Sequence, residues 1–272
     1  MGAKAIVGGN GVKGKLKKPV GHSIWFKIIL TILVFIPSYT QVGYDPSKTT
    51  DVIAAVMSHS VVSSVVWALP IAKAVLLAVI VIPLVPAKFT QRFLLGYYAL
   101  ILFIIGLLQN MSFTEEFGFV WLLGNTFVQF AVLGICLVDV LKNRTVVAKE
   151  QLVKGRLWVV VPMLVAFLMP YSINSAGIVY PSFTLNVLLN EAGVTYCMVT
   201  PVIIGILLLF SKGVHKPTLS IISYVGFIFG LLNMMTWFGI RTDNWWMGVL
   251  HLPLLILSFY GLIIAYKEKS LA

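Results

Sequence analysis

The sequence predicts an all-α integral membrane protein of about eight transmembrane helices, built as two parallel four-helix pseudo-repeats with both termini cytoplasmic. Three observations lead there. Of 272 residues, 59% are hydrophobic and only 11% charged, with a mean hydropathy of +0.97; a soluble domain needs far more polar surface. Apolar runs of about 17–24 residues recur, the length a helix needs to cross roughly 30 Å of hydrocarbon, and the short alternating segments of a transmembrane barrel are missing. Of the 20 basic residues, all but Lys48, Lys73 and Arg241 fall on one side in this topology, as the positive-inside bias requires. The same clustering accounts for the net charge of +11 without nucleic acid.

Residues 1–23 read as a basic, disordered cytoplasmic tail whose lysines touch anionic lipid. Gly9–Lys15 spells G-x4-G-K, but Leu16 follows in place of Ser or Thr and no strand precedes it, so a nucleotide loop is rejected. The first half, 24–141, holds apolar segments at Ile24–Thr40, Trp67–Pro86, Phe93–Asn110 and Gly118–Leu141. Val52–Val66 precedes the second of these, and the two together would make a helix of roughly 54 Å, too long for one crossing. It is therefore expected as a re-entrant or interfacial helix on the outer side. A basic inner hairpin, Lys88–Arg92, and an acidic outer loop with Glu115 and Glu116 separate the later segments.

The linker 142–156 carries Lys142, Arg144, Lys149, Lys154 and Arg156 and joins two membrane halves. The second half, 157–266, repeats the layout with segments at Leu157–Ile173, Val194–Ser211, Thr218–Gly239 and Trp246–Tyr266. Asn174–Gly193 forms its long outer segment, and 267–272 a basic cytoplasmic tail. A shift of 124 positions aligns the halves without a gap. Phe103, Ile104, Gly106, Leu107, Leu108 and Met111 meet Phe227, Ile228, Gly230, Leu231, Leu232 and Met235, and Trp121, Gly124 and Leu133 meet Trp245, Gly248 and Leu257. Four crossings per half is even, so the copies are parallel, an arrangement found in transporters with the site between halves.

Ionisable groups in a bilayer are functional suspects, because burying one uncompensated costs at least about 2.5 kcal/mol. Lys73, between Pro70 and Pro83, is the sharpest: it suits an anionic substrate or a carboxylate partner, against a structural role of snorkelling to the interface. His251 precedes Pro253, which frees a backbone carbonyl, and suits hydrogen bonding to substrate or to a neighbouring helix. Asn125 and Gln129 share one helix face, and Asn233 stands at the repeat position of Gln109. Gln109, Asn125, Asn233 and His251 all fall in the outer halves of their segments, which suggests a polar cavity open to the outside. Asp139 is expected to be neutralised by Lys142 or Arg144. The cysteines, Cys136 and Cys197, fall in apolar segments, which disfavours a disulfide. The four histidines lack a two-histidine metal spacing, Ser58–His59–Ser60 has no nucleophile elbow, and haem between His59 and His251 is disfavoured. No metal or cofactor is therefore expected.

These features point to a plasma-membrane transporter or permease-like protein that binds a small solute or ion between its halves. The alternatives are a membrane enzyme acting on a lipid or isoprenoid at the outer leaflet, and a non-catalytic subunit of a complex. A homo-oligomer is compatible with each.

Overall fold

Helix starts and stops obey local chemistry along much of the chain. Ser23 opens α1 (Ile24–Val34), its hydroxyl accepting from the Phe26 amide at 3.5 Å. The helix ends before Pro37, which lacks an amide and biases Ile36 toward extended backbone, and the chain continues as β1 (Tyr39–Thr40). Asp45 caps a 3-10 turn by accepting from the Ser47 amide at 2.8 Å. Next come α2 (Thr49–Ser58) and the single turn α3 (Val61–Ser64), with a bend at His59–Ser60 between them. The re-entrant helix expected over Val52–Val66 is thus two helices. This computed structural model describes residues 20–85, 90–173 and 179–268. The basic tail before Val20, Lys88 of the first hairpin and residues 269–272 lie outside them, as does the start of the outer segment.

α4 (Leu69–Val81) and α5 (Thr90–Ile104) follow, and α5 widens into a π turn over Ile105–Gln109. β2 (Met111–Thr114) and β3 (Gly118–Trp121) form a hairpin whose reversal uses Gly118 at φ 65°, in the left-handed region that glycine tolerates. β1 adds to the far edge of β3, with Tyr39 opposite Trp121. The described residues are mostly helical, as expected, with short strands added. One expectation is corrected: Gly118–Trp121 is strand rather than helix, because Phe119, Val120 and Trp121 favour extended backbone and find two partner strands. α6 (Leu123–Leu141) starts only after it.

A 3-10 turn at Lys154–Val159 leads into α7 (Val160–Leu168), which stops at Met169, φ 43°, just before Pro170. The expected span to Ile173 therefore ends early, and Tyr171–Ile173 becomes β4, paired with β5 (Val179–Pro181). α8 (Tyr196–Leu209), α9 (Lys216–Met235) with a π turn at Thr236–Ile240, and α10 (Trp245–Lys267) complete the chain.

Among the described residues, five stretches are long and apolar enough to cross a membrane: Val66–Leu84, Arg92–Gln109, Leu123–Leu141, Lys216–Ile240 and Thr242–Lys267. The other three expected spans contain shorter helices: α1 of 11 residues, α7 of 9 and α8 of 14. α8 is the axis of the core. From Met198 to Leu209 every residue is buried, and the helix packs against α4, α5, α7, α9 and α10. Small residues allow the closest approaches. A Cβ on Gly226 would lie 2.4 Å from Ser258 Oγ, and one on Gly261 2.2 Å from Ser223 Oγ, so α9 and α10 nearly touch along that face. Several polar side chains lie within the apolar core, and many large apolar ones face outward. Gln129, Ser220, Ser223 and Ser258 are inside, while Leu77, Leu100, Leu141, Val161 and Phe259 are exposed, as expected where the solvent is hydrocarbon.

The helices alternate in direction between two unlike ends. One end is capped by the β1–β3–β2 sheet and α2, sealed around Val52, Val56, Phe117, Val120 and Leu122. The other carries the charged side chains Lys27, Asp139, Arg156, Lys216 and Glu268, joined across helix ends by hydrogen bonds and ion pairs.

Candidate functional site

Beneath the capped end, α7 terminates with its last carbonyls unpaired within the helix. Leu168 and Met169 present theirs to Asn190, whose Nδ2 donates to both at 2.9 Å. Asn190 is held in turn by the 3-10 turn Glu191–Gly193, for which its Oδ1 accepts from the Ala192 amide at 3.1 Å. Lys73 arrives from the first turns of α4. Its Nζ donates to Asn190 Oδ1 at 2.6 Å and to the Leu168 carbonyl at 3.3 Å, and lies 4.9 Å from the Phe167 ring centre. A cation at a helix C-terminus also meets the negative end of the helix dipole.

Lys73 is 2% exposed, so it does not snorkel. It takes part in none of the ion pairs among the described residues. An ammonium has three protons to donate, and two have acceptors here. Glu191, next to Asn190, is fully engaged elsewhere: Oε1 accepts from Tyr171 Oη at 2.6 Å and Oε2 from Ser63 Oγ at 2.7 Å. Burial, reinforced by the Glu191 charge, pushes the Tyr171 phenol far above its ordinary range, so it remains a donor. Ser63 is joined to Ser60 at 2.6 Å. The Asn190–Glu191 pair therefore ties α3, α4, α7 and β4 together around one buried cation. The tightness is visible at Gly193, where a Cβ would lie 2.6 Å from the Ala72 carbonyl carbon and 2.7 Å from the Lys73 amide nitrogen.

The remaining sequence candidates are distributed over several places. Gln109 and Asn233 converge on the start of α8: Gln109 Oε1 accepts from the Tyr196 amide at 2.9 Å, and Asn233 Nδ2 lies 3.3 Å from Cys197 Sγ. Gln129 is buried and accepts from Asn110 Nδ2 at 2.8 Å, within a network in which Thr126 donates to the Gly106 carbonyl freed at the π turn. Asn125 is half-buried and lines a separate cleft of about 350 Å3 with Phe35, Tyr44 and Leu232. His251 donates from Nδ1 to the Met247 carbonyl at 2.8 Å, and its ring is 5.9 Å from that of Trp237. Of the four candidates Gln109, Asn125, Asn233 and His251, Asn125 lines the cleft just described, while Gln109, Asn233 and His251 are engaged in the contacts given above.

At the charged end the sequence reading missed the principal contacts. Asp139 is not paired with Lys142 or Arg144. Its carboxylate accepts from the Thr145 amide and hydroxyl, both at 2.8 Å, and from the Thr218 hydroxyl, with His215 Nδ1 at 3.6 Å. Lys27 is buried, with Nζ donating to Ser220 at 2.8 Å and lying 4.6 Å from the Tyr266 ring centre. Arg156 and Lys216 both donate to Glu268, and Arg156 also to Ser211. Partial burial opposes ionisation of Glu268, but the hydrogen bonds and charges of Lys216 and Arg156 outweigh it and hold the carboxyl below the usual carboxylate range. Within the sequence, the pairing of one late glutamate with basic residues at two helix starts was the available signal.

Among the described residues no three His, Cys, Asp or Glu side chains gather as metal ligands. No family model, curated protein or solved structure matches the chain.

Proposed function

We propose that the chain is a multi-pass transporter or permease-like protein that recognises a small solute through a negatively charged group on it, with Lys73 as the recognising residue. The observation that carries this reading is the buried Lys73 ammonium, which among the described residues is met by neutral oxygens and an aromatic ring and makes no ion pair. A buried charge without a counter-ion is costly, and an anionic solute supplies the missing charge. In this reading the Asn190–Glu191 turn is the element that moves to admit it. Gln109 and Asn233, at the start of α8, lie toward the path, with His251, Gln129 and Asn125 as further polar positions along the halves.

The same reading has eight crossings, the charged end in the cytoplasm and the capped end outside the plasma membrane. The alternating directions and the basic Lys142–Arg156 linker support it. In it the two four-helix halves are the parallel copies, with the hairpin of α5 and α6 corresponding to that of α9 and α10.

The test is uptake into proteoliposomes of a panel comprising a monocarboxylate, sulfate, inorganic phosphate and an uncharged sugar. Protein-dependent uptake of an anion, lost at least tenfold in Lys73→Met and partly kept in Lys73→Arg, is the expected result. Uptake of none of them, or equal uptake by Lys73→Met, would overturn the proposal.

A further inference from the structure

A second feature lies at the charged end, and it does not depend on the transport reading. α6 stops at Leu141, and Asn143 takes up the left-handed conformation, φ 51°, which asparagine tolerates better than most residues. The turn is pinned by the Lys142 amide donating to the Val138 carbonyl at 3.1 Å and the Arg144 amide to the Asp139 carbonyl at 3.2 Å. Lys142 and Arg144 line a cleft of about 500 Å3 whose lining also includes His215. That volume is in the range of small-molecule sites, roughly 300–1,000 Å3. Its far wall is fixed by backbone contact: a Cβ on Gly21 would lie 2.1 Å from the Pro217 carbonyl oxygen.

The local charge balance is positive. Asp139, the nearest acid in sequence, is 1% exposed and its oxygens are occupied by Thr145 and Thr218. Lys142 and Arg144 are exposed, and their side chains have no hydrogen-bond or ion-pair partner among the described residues. His215 is oriented by the same acid: Thr218 donates its only hydroxyl proton to Asp139, so His215 Nδ1 donates to Thr218 at 2.9 Å. Two cations whose side chains have no partner among the described residues match the several acceptor oxygens of a phosphate, with Arg144 able to bind it through two nitrogens. The rim is apolar. Ile135 and Val138 line the cleft, and Leu137 and Leu141 beside them are exposed, a surface suited to acyl chains.

We propose that this cleft binds a phosphate group. The apolar rim fits an anionic phospholipid that leaves its tails along α6, and a soluble phosphate shares the same recognition chemistry. Full-length protein in phosphatidylcholine nanodiscs would be titrated with phosphatidylglycerol, and separately with inorganic phosphate, reading retained lipid by native mass spectrometry and bound phosphate by calorimetry. Each cation near a membrane surface strengthens anion binding by about fivefold. Lys142→Gln combined with Arg144→Gln is therefore expected to weaken binding by roughly 25-fold, leaving the thermal midpoint in phosphatidylcholine unchanged. Loss of phosphatidylglycerol retention identifies the lipid as the source, and loss of inorganic phosphate binding identifies a soluble one. Lys149→Gln with Lys154→Gln removes equal charge from the same linker away from the cleft. The proposal is overturned if this control weakens binding as much as the cleft variant does, or if neither probe binds the wild-type protein.

Discussion

Glu268 is the residue on which the charged end is closed. It bridges Arg156 and Lys216, which are 8% and 2% exposed, so removing it leaves two cations in a poorly hydrated place. Because water reaches the glutamate itself, the expected cost of Glu268→Gln is about 1–3 kcal/mol rather than the full penalty of an orphaned deep pair. The pH dependence has a definite sign. Its folded pKa lies below the ordinary carboxylate value, so its contribution is complete above about pH 4.3 and fades as pH falls through the lower folded value. Thermal midpoints of wild type and Glu268→Gln should differ at pH 6 and converge toward pH 3. A constant gap over that range would mean that charge is not the reason. From sequence, Lys27 and Lys216 read as cytoplasmic surface charge; their burial depends on Ser220 and on Glu268, each far away in the chain.

The 3-10 turn Glu191–Gly193 is the element that sets the Lys73 site. Nothing in its composition marks it beyond Asn190 as a capping residue. Its importance comes from lying backbone to backbone on α4, which requires a side chain no larger than hydrogen at Gly193. Gly193→Ala should lift the turn, break the Asn190–Lys73 contact and cost roughly 1–3 kcal/mol. The diagnostic readout is the uptake assay: Gly193→Ala should reproduce the Lys73→Met loss although Lys73 is still present. Normal uptake would show that the turn does not position Lys73. Strands were the least legible elements for a related reason. β1 has two residues, too few for a period to show, and it exists because Trp121 and Val120 stand opposite it.

For the whole molecule, the two unlike ends make a topological prediction. Cys136 is fully buried and Cys197 partly so, which leaves single introduced cysteines as clean reporters. Ser47→Cys at the capped end and Lys149→Cys in the linker should be labelled by a membrane-impermeant maleimide from opposite faces of right-side-out vesicles, Ser47→Cys from the outside. Labelling of both from one face would contradict the eight-crossing arrangement. The sequence by itself determined which segments are apolar enough to leave water and which turns carry the basic charge, since both depend on composition over one helix length. Tertiary structure alone decided where those helices stop, which lysines are buried and which amides meet. Those outcomes depend on partners such as Asn190 for Lys73 and Tyr196 for Gln109, contacts between segments that no local period encodes.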